Sequence, residues 1–223
     1  MKQPAPRQRR TQAERRSETQ AAILAAAMQI LAEDGYANFS ASRVAAVAGV
    51  SRGAQEHYFP RKADLMAAAV KHAMAEAVDH AERLSRTVNH TSDPIEKFLL
   101  DSEHFFFSPI FLALMEIMIA CRSDRELAAV VNPVVKKARV TLNRIWTETL
   151  SAAGYPTDNA RQFVEISHYA MRGFFVVSTW LPYTVDRKAM IAALRDLAPT
   201  ALQLGIQPRP TTRKAPTRRA LKG

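Results

Sequence analysis

Residues 39–65 read FSASRVAAVAGVSRGAQEHYFPRKADL, and three local features in them decide the fold. Ser40 can cap a short helix running through Ala48, its hydroxyl accepting one of the backbone N–H groups that a helix start leaves without a partner. Gly49 ends that helix, because without a Cβ it takes the positive φ that a helix C-terminus favours. Ser51 then caps a second helix, Arg52 to Phe59. Two short helices joined by so tight a turn must cross steeply; Ala45 lets the axes approach, and Val44, Val47, Val50 and Ala54 supply the apolar contacts. The outer side of the second helix carries Arg52, Gln55, Glu56 and His57, all able to hydrogen-bond, which suits the major groove of DNA. The pattern is that of a helix-turn-helix.

Composition bounds what surrounds this pair. A chain of 223 residues with 48% apolar content can build a substantial core. No run approaches the roughly 20 apolar residues of a membrane span, and the N-terminus is basic and polar without an apolar leader core. These features place the chain in the cytoplasm with no membrane partner. A lone cysteine, Cys121, permits neither an internal disulfide nor a cysteine zinc site. The net charge of +10 is unevenly placed: residues 1–16 carry +5, residues 207–223 carry +6, and the body between them is close to neutral at −1. Both ends are rich in Pro, Arg, Thr and Gln, a composition that does not fold alone but attracts polyanions. The arm before the motif points to DNA; the C-terminal tail reads equally well as a solubilising segment.

The remainder reads as helices. Ser17-x-x-Gln20 is a capping-box pattern opening a first helix that Asp34-Gly35 ends, with Ile23, Ala26, Ala27, Ile30 and Leu31 at helical spacing. After Pro60 a long helix runs from about Lys62 to Val88. From Asp93 onward the caps recur: Asp93-Pro94, Ser108-Pro109, Ser123-x-x-Glu126, Thr157 and Asp186. They predict helices at 94–107, 109–121, 124–152, 158–181 and 187–204. The expected fold is all-α: a basic arm (1–16), a three-helix DNA-binding domain with the helix-turn-helix (17–61), a larger helical regulatory and dimerisation domain (62–206) and a basic tail (207–223).

A basic arm, a helix, the motif, a long linking helix and a helical body together resemble the tetracycline-repressor (TetR) family of transcriptional regulators. The resemblance is carried by Asp34-Gly35-Tyr36, by Gly49-Val50-Ser51-Arg52-Gly53-Ala54, and by His57-Tyr58-Phe59-Pro60-x-Lys62-x-x-Leu65. It covers roughly residues 15–70; the rest matches in helix number and length alone. The resemblance implies phosphate contacts from Ser40, Arg43, His57, Tyr58 and Lys62, and base-edge or backbone contacts from Ser51, Arg52 and Gly53. Gln55 joins them as a polar residue of the recognition helix. Three positions depart from the family's common pattern: Gln55 where leucine is usual, Glu56 where tyrosine or leucine is, and Arg61 where Ser or Thr is. Glu56 repels phosphates, yet four residues from Arg52 it can also hold that guanidinium in place; Arg61 gives up a helix cap and offers a phosphate partner.

Other residues admit two readings. Glu165-x-x-His168 and Asp101-x-x-His104 echo di-iron ligand spacing, but only one true pair exists, and structural histidines are the simpler reading. No metal, cofactor or catalytic constellation is called for, so the chain is not read as an enzyme. Phe107, Phe111, Met115, Met118, Met171, Phe174 and Phe175 either line a ligand cavity or fill the core. Arg122 and Arg172 stand beside apolar segments and can meet an acidic ligand group, although a salt bridge such as Glu116 to Arg122 is the plainer use. Val164, Ile166, Met171, Phe175, Val176, Ile191, Leu194, Leu197 and Leu202 give the last two helices an apolar face, on which the resemblance implies a homodimer. A dimer would set two recognition helices about 34–36 Å apart on an inverted-repeat operator. The function expected is a sequence-specific DNA-binding regulator, a repressor released from double-stranded DNA by a small apolar or amphipathic effector. The alternatives are a regulator or activator without an inducer, or a helical interaction or metal protein whose helix-turn-helix does not bind DNA.

Overall fold

A computed structural model describes residues 11–89, 93–181 and 186–205; the expected C-terminal tail and the first ten residues of the arm lie outside them. The described residues form α1 (Gln12–Asp34), α2 (Ala41–Val47), α3 (Arg52–Tyr58), α4 (Lys62–Ser85), α5 (Pro94–Phe106), α6 (Pro109–Ala120), α7 (Arg125–Ala152), α8 (Thr157–Trp180) and α9 (Arg187–Leu204), with no strand among them.

Three helix starts differ from expectation. Helix α1 begins at Gln12, because Thr11 and Glu14 make the reciprocal capping box: Glu14 N donates to Thr11 Oγ1 at 3.2 Å and Thr11 N to Glu14 Oε2 at 2.7 Å. Ser17 is thus inside the helix, and Arg15 and Arg16 lie on it rather than in an arm. Asp124, not Ser123, caps α7 by accepting from Leu127 N at 2.9 Å. Thr157 is the first residue of α8 after Pro156 and makes no cap bond. Asp93, Ser108 and Asp186 cap α5, α6 and α9.

The apolar faces meet in two clusters. In the first, Ile23, Ala27, Ile30 and Leu31 of α1 pack with Val44, Phe59, Leu65 and Met66, and with Ala113 and Ile117 of α6 and Leu127 and Val131 of α7. In the second, Phe98 and Leu99 of α5 pack with Trp146, Leu150, Phe163, Met171, Ile191 and Leu202. Each fully buried side chain of this size contributes about 1.5–3 kcal/mol. Helix α7 supplies residues to both clusters, and α4 does so through Leu65, Met66 and Ala81, so these two helices join the reading head to the body. The seam is fixed by one more bond: Glu116, expected to pair with Arg122, accepts from Tyr36 N at 2.9 Å and fastens the end of α1 to α6. Among the described residues no single helix is long and apolar enough to cross a membrane; α5 and α6, bent by 61°, are so only together.

Candidate nucleic-acid interface and the cavity behind it

The turn between α2 and α3 is built as the sequence implies. Ser40 Oγ accepts from Arg43 N at 3.4 Å, and Ser51 Oγ accepts from Ala54 N at 3.1 Å. Gly49 has φ 67°, and Val50 N reaches back to Ala45 O at 3.0 Å, closing the helix end. Val44 and Ala45 are buried between the helices, whereas Val47, expected inside, is exposed.

Helix α3 presents Arg52, Gly53, Glu56 and His57 to solvent. Arg52 Nε donates to Glu56 Oε1 at 2.7 Å, so the carboxylate one turn along holds the guanidinium on the helix surface. A Cβ added at Gly53 would meet nothing within 4 Å. Gln55 belongs to the other face and leaves the set of DNA-contact candidates: it is 1% exposed, its Nε2 donates to Phe59 O at 3.2 Å, and its Oε1 is buried without a partner. One residue in each turn of so short a helix must face the core, and Gln55 occupies that place, where leucine would need no partner.

The flanking cations are engaged by the protein itself. Arg43 pairs with Asp34 at 2.5 Å and reaches Asn38 O at 3.3 Å. Lys62 Nζ lies 3.9 Å from the centroid of the Tyr36 ring and 5.2 Å from that of Phe39; burial lowers its pKa although the charge of Asp124 opposes the shift. Arg61, expected to be free for a phosphate, makes two bonds to Asp64 at 2.7 and 2.8 Å and one to Glu126 of α7 at 3.0 Å. His57 and Tyr58 meet edge to face at 5.7 Å. Arg16 of α1 lies 5.9 Å from the Tyr58 ring centre, adding a cation beside α3 that its place in a basic arm concealed.

Behind the head, α4, α5, α6, α7 and α8 enclose a cavity of ≈ 760 Å³. Phe111, Met115 and Met118 line it; Phe107 and Phe175 border an adjoining recess of ≈ 750 Å³ against α1 and α4. Met171 and Phe174 line neither: Met171 is fully buried in the second cluster, and Phe174 packs on Phe107 at 5.8 Å. One end of the cavity is polar. Asp101 takes His80 Nδ1 at 2.6 Å and Trp146 Nε1 at 2.7 Å, and burial raises its pKa against both bonds. His80 and His104 stack at 4.7 Å. His168 Nδ1 lies 3.0 Å from Asn143 Oδ1, which only accepts, so Nδ1 carries the proton and Nε2 accepts from Ser102 Oγ at 3.3 Å. Burial, then the charges of Arg172 and Arg139, push the His168 pKa down to about 3. Of the two histidines flagged by their spacing, His168 is thus a hydrogen-bonded cavity residue and His104 a cavity residue stacked on His80, and no group of three or more metal-ligating side chains occurs among the described residues. Arg139, Asn143 and Trp146 follow one another at helical spacing on α7 and form a polar line on the cavity wall that apolar periodicity does not mark.

The pattern of the family described as "Bacterial regulatory proteins, tetR family" matches residues 23–69, from within α1 into α4. The HTH-type transcriptional regulator CymR of Pseudomonas putida is 33% identical over 172 residues, spanning 77% of this chain and 85% of that one. A transcriptional regulator from Rhodococcus sp. Rha1 superposes with a TM-score of 0.65 at 19% identity, covering 85% of this chain and 99% of that chain. The regulator FadR of Bacillus subtilis, solved in complex with stearoyl-CoA, gives 0.58 at 21% identity, covering 84% and 99%. With its helix-turn-helix, linking helix and helical body, this chain belongs to the TetR family of DNA-binding transcriptional regulators and is not an enzyme.

Proposed function

We propose that the protein is a homodimeric repressor that leaves an inverted-repeat operator when a small amphipathic molecule fills the cavity. One observation carries this reading. Helix α4 starts three residues after Phe59, the C-cap of the recognition helix, and further along it lines the cavity with Ala73, Met74, Ala77 and His80. A ligand that alters the seat of α4 therefore alters the position of α3. It releases DNA to the extent that it binds the non-operator spacing better than the operator-bound one.

DNA contacts on this reading come from Ser40, Arg43, Ser51, Arg52, Gly53, His57, Tyr58 and Lys62, joined by Arg16. Arg43 and Lys62 would exchange partners within the protein for phosphates. Dimerisation falls to α8 and α9. Val164, Met171, Ile191, Leu194 and Leu202 fill the protomer's own core, but Ile166, Tyr169, Val177, Trp180, Leu181, Leu197 and Leu204 are exposed. These are seven of the eleven large apolar side chains exposed among the described residues, a concentration that a partner surface explains.

Ala77→Phe tests the coupling without knowledge of the effector. A ring projecting from α4 into the cavity should change operator affinity by about fivefold or more while leaving helical content intact. Unchanged operator affinity in a stably folded variant would show that the cavity and the reading head are independent.

A further inference from the structure

The polar end of the cavity offers donors whose acceptors are missing. Arg172 lines the cavity, with its guanidinium 5.6 Å from the Phe106 ring centre and 5.7 Å from that of Tyr169, and no carboxylate among the described residues pairs with it. Arg139 also lines the cavity, donates to the Tyr169 hydroxyl and has no acidic partner among the described residues. Asn143 spends its oxygen on His168, which leaves the Nδ2 hydrogens uncommitted. The acceptors, in contrast, are taken. Both Asp101 oxygens are bonded, and neutral His168 uses its lone pair on Ser102. The remaining acids on the cavity wall, Glu76 and Asp79, belong to the exposed side of α4, and Glu76 lies 3.5 Å from His72. Burial and the neighbouring charge of Arg139 both lower the Arg172 pKa, as befits a cation set beside a like charge in a partly dry site.

Resting on the reading of this cavity as the effector site, we propose that the effector is an amphipathic carboxylate. Its anion is held by Arg172 and Asn143 with Arg139 alongside, and its apolar body lies against Phe105, Phe106, Phe111, Leu114, Met115 and Met118. A planar carboxylate matches the guanidinium fork in two parallel bonds and supplies the acceptors that the cavity lacks. The volume suits a single small molecule, within the range of about 300–1,000 Å³ typical of such sites.

Charge-matched probes decide the matter: decanoate and phenylbutanoate against the corresponding primary alcohols, ammonium ions and phosphate monoesters, each titrated calorimetrically into the full-length protein and into a protein–operator complex. The carboxylates should bind about tenfold or more tighter than the alcohols and release the operator. Arg172→Met, which keeps the stem over Phe106, should remove that preference and leave alcohol binding unchanged. Alcohols, ammonium ions or phosphates that bind as well as the carboxylates and release DNA would overturn the carboxylate assignment while keeping the effector cavity. If no probe of any charge binds, the effector reading falls as well. A preference that survives Arg172→Met would place the anion elsewhere.

Discussion

Replacing Gly53 with alanine separates DNA contact from folding more cleanly than removing any charged side chain. Gly53 is the second residue of the seven-residue α3, its φ is not positive, and a methyl group there meets nothing within 4 Å. In the free protein the change only favours helix and restricts the unfolded chain, a gain of about 0.5–1 kcal/mol, reduced because the site lies in the first turn. For a chain of this length that corresponds to a rise in Tm of roughly 1–3 °C. If the glycine is where the backbone meets DNA, the same methyl group forces the helix outward and operator affinity falls by about tenfold or more, roughly 1.4 kcal/mol. Fluorescence anisotropy on operator and random duplexes at one fixed salt concentration, with thermal unfolding of the free protein, measures both quantities. A Tm that falls would refute the helical geometry assigned to α3. A raised Tm with unchanged operator affinity would refute the placement of its Gly53 face against DNA.

Arg52→Ala should cost about 1–3 kcal/mol on operator and relax preference at one base pair, whereas equal losses on random DNA would make Arg52 a phosphate contact only. Glu56→Gln frees the guanidinium and adds one net positive charge, so it should strengthen random binding, steepen the slope of log affinity against log salt by about 0.9, and blur the base preference; an unaltered preference would show that the pair does not orient Arg52. Gln55→Leu should leave operator affinity unchanged and shift stability by about 1 kcal/mol or less, since it removes an unsatisfied oxygen together with one bond to Phe59 O. His168 has its pKa lowered to about 3 from the usual imidazole value of 6.5, so the unfolded chain binds the extra proton first. Its contribution to stability is therefore complete above pH ~6.5 and lost as the pH falls toward 3. The full shift corresponds to about 4–5 kcal/mol, of which about 2–3 is expected because the ring borders the cavity. Unfolding of the protein and of His168→Gln across that range checks it: a parallel pH dependence in the two would contradict the assignment.

The local grammar of this chain was legible because short-range chemistry wrote it. Asp93, Ser108 and Asp186 cap helices where their side chains precede Pro or a run of good helix formers, and Gly49 turns where positive φ is needed. Where two neighbours could each cap, Ser123 and Asp124, the choice rested on register, which sequence spacing leaves open. Gln55 departs from the expected outer face for a related reason. In a seven-residue helix polarity marks an outer face, but Gln55 is turned inward, with its Nε2 bonded to the carbonyl of Phe59, whose ring belongs to the first cluster. The cavity was least legible, because Met171, Phe111 and Met118 are equally apolar in the sequence. Only the packing of the helices places Met171 wholly in the core, Phe111 both in that core and on the cavity wall, and Met118 on the wall.

The central claim is that α8 and α9 pair two copies so that two α3 helices enter successive major grooves. Hydroxyl-radical footprinting of the purified protein on the DNA upstream of its own gene, across a salt series, tests it most directly. The account predicts a two-fold symmetric footprint with half-site centres about 34–36 Å apart that persists as salt rises. One-sided protection, or diffuse protection that disappears with salt at the rate of random DNA, would contradict it.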